Sequence, residues 1–118
     1  MDALSTTFAA LCDPTRRAIL ASLKSRPASV AELAAPFGMS QQAVSKHLAY
    51  LERAHLIEKR RSGRQQVCYL MAEPLRDAAG WVDEYRQFWQ GAFNRLDGLL
   101  REMHAPGTAP RPKRKRKH

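Results

Sequence analysis

The sequence predicts a mainly α-helical (α+β) fold, and three observations carry that expectation. A capped helix, a glycine-bearing turn and a second helix with one polar face follow one another between residues 29 and 54. A short hairpin rich in Lys and Arg comes directly after, and a long amphipathic stretch then runs toward the C-terminus. In that order they make a winged helix-turn-helix with a two-stranded wing, flanked by an N-terminal and a C-terminal helix.

The chain of 118 residues fits one small domain, and its 44% hydrophobic content is ordinary for a globular protein. Residues 1–104 read as that domain, and residues 105–118 as a tail rich in Pro, Gly and cations that is expected to be disordered. The net charge of +9 is unevenly placed. Six of the 20 Lys and Arg residues (Arg111, Lys113, Arg114, Lys115, Arg116 and Lys117) fall in the last eight positions. The remaining 14 face 11 carboxylates, so the body carries only +3 and its affinity for nucleic acid has to be argued from motifs. The tail itself has two readings, as extra non-specific phosphate contacts or as an inert solubilising end.

Two cysteines, Cys12 and Cys68, with no CxxC pair or Cys/His cluster, suggest neither a disulfide framework nor a zinc ribbon. No basic region followed by an apolar core opens the chain, and no apolar run approaches the roughly 18 residues of a membrane span. A cytoplasmic protein without a membrane partner is expected.

Taken in order, Ala3 to Leu11 are small and apolar and suit a short helix. Asp13-Pro14 is a strong helix start, because Asp caps free amides and Pro is tolerated where its missing N–H would have no partner. The helix over residues 14–25 repeats Ala18, Ile19 and Leu23 at helical spacing and ends before Pro27. Ser29-Val-Ala-Glu32 is a capping box that opens a short helix, soon punctuated by Pro36 and Gly38. A new helix begins at Ser40 and runs to about residue 54. Residues 57–61 and 65–71 read as strands around Ser62-Gly63-Arg64, with Val67, Tyr69 and Met71 on one face. Glu73-Pro74 opens the last and longest helix, expected to continue unbroken to roughly His104.

On a wheel of about 100° per residue, Val44, Leu48 and Leu51 share one face of the Ser40 helix, and Gln42, Lys46, Ala49 and Arg53 cluster opposite. Gln41 and Ser45 stand on the shoulder near its start. Such donor-rich side chains suit base edges and phosphates, and the amides at the helix start favour a phosphate. The wheel alone does not separate a groove-reading face from a solvated one. His47 lies toward the buried shoulder, open to a packing or positioning role or to direct DNA contact. The neighbours favour DNA: Lys59, Arg60, Arg61 and Arg64 concentrate four cations in a hairpin whose tip can reach the backbone or minor groove, the alternative reading being a solvated charge run.

Asp13-Pro-Thr-Arg-Arg-Ala-Ile-Leu20, Ser29-Val-Ala-Glu-Leu-Ala34, Met39-Ser-Gln-Gln-Ala-Val-Ser-Lys-His-Leu48 and the Arg61-Ser-Gly-Arg64 wing together resemble the ArsR/SmtB family of bacterial repressors, over about residues 5–103. The resemblance implies that Gln41, Gln42, Ser45 and Lys46 read bases or phosphates and that the wing contacts the flanking backbone. With Ser40 and His47 at the same helix and the four wing cations, these form the candidate DNA-binding set. It also implies a repressor or autorepressor, nucleoid-associated in a bacterial cytoplasm, that pairs through its terminal helices.

The residues point the same way. The final stretch carries Trp81, Tyr85, Phe88, Trp89, Phe93 and Leu96 at spacings of three, four and seven, and the body offers few complements beyond Leu4, Phe8 and Leu11. These nine are the candidate dimer interface, and a two-fold dimer on double-stranded DNA calls for an imperfect palindrome.

The family's thiolate sensors place paired Cys in the helix before the recognition helix, where this chain has Glu32-Leu-Ala-Ala-Pro-Phe37. The last helix supplies none of the carboxylate and His pairs of a hard-ligand site. No metal and no cofactor are expected. Cys12 and Cys68 read as isolated structural thiols or, alternatively, as a redox pair. Two other readings stay open, an effector-responsive derepressor and a winged-helix module that binds protein. No Ser/His/Asp set, carboxylate pair or phosphate loop suggests an enzyme.

Overall fold

The computed structural model describes residues 1–103. The expected tail and His104 lie outside the described residues. The chain divides into two compact units, Met1–Val82 and a second beginning at Asp83.

In the first unit, α1 (Ala3–Leu11) is capped by Asp2, whose side chain accepts from the Ser5 amide at 2.7 Å. Helix α2 (Pro14–Ser25) starts as the Asp-Pro pair requires: Asp13 accepts from the Arg16 amide and Pro14 takes the first turn. It buries Ile19, Leu20 and Leu23, while Ala18 is only half-buried. Helix α3 (Val30–Ala34) opens on the full capping box, with the Ser29 amide donating to Glu32 at 2.9 Å and the Glu32 amide to Ser29 at 3.2 Å. A 3-10 turn, Ala35–Phe37, extends it and ends on Gly38 at φ +62°, a left-handed conformation that glycine takes without strain. Helix α4 (Gln41–Arg53) follows, with Ser40 as its cap.

Two strands form the wing, β2 (Ile57–Ser62) and β3 (Gln65–Leu70), paired from Ile57↔Leu70 to Ser62↔Gln65. The two-residue loop Gly63-Arg64 has positive φ only at Gly63, the arrangement of a II′-type hairpin, whose twist matches that of the strands. The sheet is larger than the expected two-stranded wing. Ala28–Ser29 forms a third strand, β1, against the free edge of β3, pairing Ala28 with Cys68 and Ser29 with Val67, so β3 is central. The side of β3 that joins the core is that of Cys68 and Leu70; Val67 and Tyr69 lie on the other side, half-buried.

The core gathers Ile19, Leu20 and Leu23 from α2, Leu33 and Ala34 from α3, Val44, Leu48 and Leu51 from α4, and Leu56, Ile57 and Cys68 from the wing base. At about 25 cal/mol per Å² of apolar surface, such side chains supply most of the drive that fixes α4 in place.

The expected unbroken C-terminal helix is corrected. The chain forms α5 (Glu73–Asp83) and, after a turn at Glu84 and Tyr85, α6 (Arg86–Met103). No Pro stands at this break, and the nearest Gly, Gly80, lies within the last turn of α5. Asp83 and Glu84 put two carboxylates at the negative end of α5, an unfavourable place for them, whose last turn has no cation, and Asp83 pairs with Arg86. Considered alone, α6 is amphipathic, with Phe88, Trp89, Phe93, Leu96, Leu99, Leu100 and Met103 on one exposed stripe. No helix among the described residues is long and apolar enough to cross a membrane.

Candidate nucleic-acid interface

Helix α4 is held by one face and free on the other. Val44, Leu48 and Leu51 are fully buried, as their spacing predicts. Ser40, Gln41, Gln42 and Lys46 are exposed, and Ser45 is half-buried beside them. Ser40 caps the helix: its Oγ accepts from the Ala43 amide at 3.1 Å, which fixes the helix start from which the two glutamines project. The result is a short row of amide and ammonium donors on a helix whose orientation is set by the core.

His47 is turned away from that row. Its Nδ1 lies 3.7 Å from Oδ2 of Asp13, both side chains partly shielded. The Arg16 amide donating to Asp13, together with the nearby His47 and Arg16 side chains, holds the Asp13 carboxyl below the ordinary carboxylate range. In the same way the Ser29 amide and hydroxyl lower that of Glu32.

The four wing cations separate into three environments. Lys59, with its side chain only 18% exposed, reaches back to Glu52 of α4, Nζ to Oε1 3.5 Å. Arg60 lies 4.4 Å from the centre of the Tyr69 ring and donates to Glu58, a contact that raises its already high pKa. Arg61 and Arg64 are exposed at the distal end of the hairpin, as far from α4's anchor as the strands allow. The sequence groups these four by charge; the strand register sorts them, because Lys59 pairs opposite buried Cys68 and therefore points toward the core side.

Two contributors, Arg16 and Tyr50, were not legible as site residues. Arg16 donates from Nε to the Ala10 carbonyl at 2.7 Å and from Nη2 to the Ala9 carbonyl at 2.9 Å, and its guanidinium lies 4.0 Å from the centre of the Tyr50 ring. Arg53 approaches the same ring at 5.6 Å. The available signal was the half-buried shoulder of α4, where Tyr50 follows His47 by three residues, nearly one helical turn.

Of the proposed dimer residues in the first unit, Leu4 is half-buried and Leu11 packs against the core, whereas Phe8 and Trp81 are exposed and meet edge to face at 6.0 Å. In the second unit Tyr85, Phe88, Trp89, Phe93 and Leu96 are all exposed, and Tyr85 and Phe88 stand 6.3 Å apart. Burial pushes the Cys68 thiol upward, away from the thiolate that a redox sensor needs. Among the described residues no three His, Cys, Asp or Glu side chains gather as a metal site.

A capped helix-turn-helix whose second helix exposes glutamines and a lysine, followed by a basic hairpin, defines a winged-helix DNA-binding transcriptional regulator. The helix-turn-helix domain family matches residues 11–60. The chain is 33% identical over 79 residues to the transcriptional repressor SdpR of Bacillus subtilis, covering 67% of this chain and 88% of that one. It is 42% identical over 91 residues to the HTH-type transcriptional regulator Rv2034 of Mycobacterium tuberculosis, covering 77% and 82%. The crystal structure of an ArsR family transcriptional regulator superposes with a TM-score of 0.69 at 38% identity, covering 75% of this chain and 98% of that one. The chain belongs to the ArsR/SmtB family of winged helix-turn-helix regulators; its relatives are regulators of transcription and not enzymes.

Proposed function

We propose that the chain represses transcription as a homodimer, laying two copies of α4 in the major groove of an imperfect palindrome. The observation that carries this reading is the division of α4 into a fully buried stripe and an exposed row of Gln41, Gln42 and Lys46. Glutamine is suited to adenine and lysine to guanine or phosphate in the major groove, with Ser45 able to bond either. Ser40 fixes the helix start, His47 orients the helix, and Arg60, Arg61 and Arg64 face the flanking backbone.

Dimerisation is supported by the apolar surfaces that each unit exposes, Phe8 with Trp81 in one and the Phe88 to Leu96 stripe in the other. Stripes of this width are costly in water and suit a second copy of the same helix. Two-fold symmetry then sets the half-sites about one helical turn apart or a small multiple of it. The similarity to a relative named as a repressor favours repression over activation. Such a protein works in the bacterial cytoplasm, on the nucleoid. The basic residues 111–117 add salt-sensitive phosphate contacts without reading sequence.

Selection of bound duplexes from a random pool, repeated with Gln42→Ala and Lys46→Ala, tests this reading. A palindromic consensus with wild type, relaxed at defined positions by each variant, is expected. Sedimentation of the protein alone and on that duplex should give two chains per site; one chain saturating the duplex would refute the dimer.

A further inference from the structure

The buried stripe keeps α4 in the core, but apolar burial is non-directional and resists rolling about the helix axis weakly. Rolling matters here. With side-chain tips about 5–6 Å from the axis, a 20° roll moves them by about 2 Å, enough to break any hydrogen bond to a base edge. What can lock the roll is directional contact on the flanks.

Both flanks of α4 are gripped. On one, His47 and Tyr50 meet Asp13 and Arg16 from the corner between α1 and α2. On the other, Glu52 meets Lys59 from β2. The first grip is the stiffer, because the Arg16 guanidinium is itself fixed by two carbonyls in the last turn of α1, at 2.7 and 2.9 Å, while its face covers the Tyr50 ring. A planar fork that bonds along its edge and stacks through its face has little freedom left.

We propose that Arg16 is a positioning residue for DNA reading: through Tyr50 it sets the roll of α4 and ties that roll to the end of α1. The assignment rests on the reading of α4's exposed face as the groove reader. Arg16 itself touches no base. A displacement of α1 therefore reaches the reading face through a directional contact, the Arg16 fork on Tyr50, as well as through the core, which makes α1 more than a packing element.

The test compares affinity for the duplex that wild type selects from a random pool with affinity for a mixed-sequence duplex. Arg16→Lys keeps the charge but loses the fork, and Tyr50→Leu loses the ring; each is expected to lower the ratio of the two affinities about tenfold while leaving mixed-sequence binding within about twofold. Tyr50→Phe, which keeps the ring, should retain the wild-type ratio. Urea unfolding establishes that each variant is folded under assay conditions. A purely structural Arg16 would lower the unfolding midpoint and leave the ratio of the folded protein unchanged, and that result overturns the proposal. If Arg16→Lys does not fold, equal ratios for Tyr50→Leu and Tyr50→Phe overturn it. A wild type with no sequence preference would instead refute groove reading by α4, and the positioning role with it.

Discussion

Lys59 Nζ and Glu52 Oε1 stand 3.5 Å apart, joining the first wing strand to the flank of α4. A cation so engaged has less to give a phosphate than Arg61 or Arg64, which are exposed. Each phosphate contact contributes about 0.9 to the slope of log K against log salt. Arg61→Ala and Arg64→Ala should therefore each reduce that slope by about one, and Lys59→Ala should leave it nearly unchanged. Titrations of duplex binding over a range of salt concentrations check this, and an equal reduction for Lys59→Ala would place it on the DNA.

Helix α4 ends with His55 at φ +60°, while the Leu56 amide bonds the Leu51 carbonyl and the His55 amide that of Glu52, both at 3.0 Å. This is the Schellman arrangement, in which glycine is the favoured residue. A left-handed conformation costs a residue with a Cβ about 1–2 kcal/mol, partly offset because glycine gains freedom in the unfolded chain. His55→Gly should thus stabilise the protein by about 0.5–1 kcal/mol, read as a higher urea midpoint with an unchanged slope.

Leu48 is fully buried at the centre of the α4 stripe. Leu48→Ala removes transfer energy and leaves a cavity, which together cost about 2–5 kcal/mol. Chemical denaturation should show the loss, large beside the 5–15 kcal/mol total of a typical domain.

Asp13 and Glu32 both have pKa values below their ordinary 3.8 and 4.5, each because a cap amide donates to the carboxylate. A depressed folded value means that their contribution is complete above the ordinary values and is lost as pH falls through the folded ones. Stability should therefore be flat in this respect near neutrality and decline only below about pH 4.5. The double variant Asp13→Asn, Glu32→Gln keeps cap acceptors without the charge, so its melting temperature should fall less steeply on acidification than that of wild type. A parallel decline in the two proteins would show that other groups govern the acid limb.

Helix starts were legible because their chemistry is local: Asp13-Pro14, the Ser29 and Glu32 box, and Ser40 each satisfy orphan amides within three residues. The inward face of α4 was legible for the same reason, as a period. The strand Ala28–Ser29 was not, since its partners lie about forty positions away on β3 and two residues carry no alternation. Nor was the break at Glu84 and Tyr85, where apolar periodicity from Trp81 to Phe88 passes through the turn uninterrupted. In the candidate site, the exposed donors of α4 follow from the wheel, whereas the separation of Lys59 from Arg61 depends on strand register and the role of Arg16 on the packing of three helices.

Ser29 serves two masters at once, its backbone paired with Val67 of β3 and its side chain capping α3. The connection between α2 and α3 is for that reason a measured length. One residue added or removed there would shift strand pairing and helix cap out of phase with each other, whereas extra residues at Gly63-Arg64 would merely lengthen a protruding tip. Homologous chains should accordingly vary in length at the hairpin end and keep constant spacing from Pro27 to Glu32, and the hairpin end is where a label or affinity sequence can be inserted without unseating the fold.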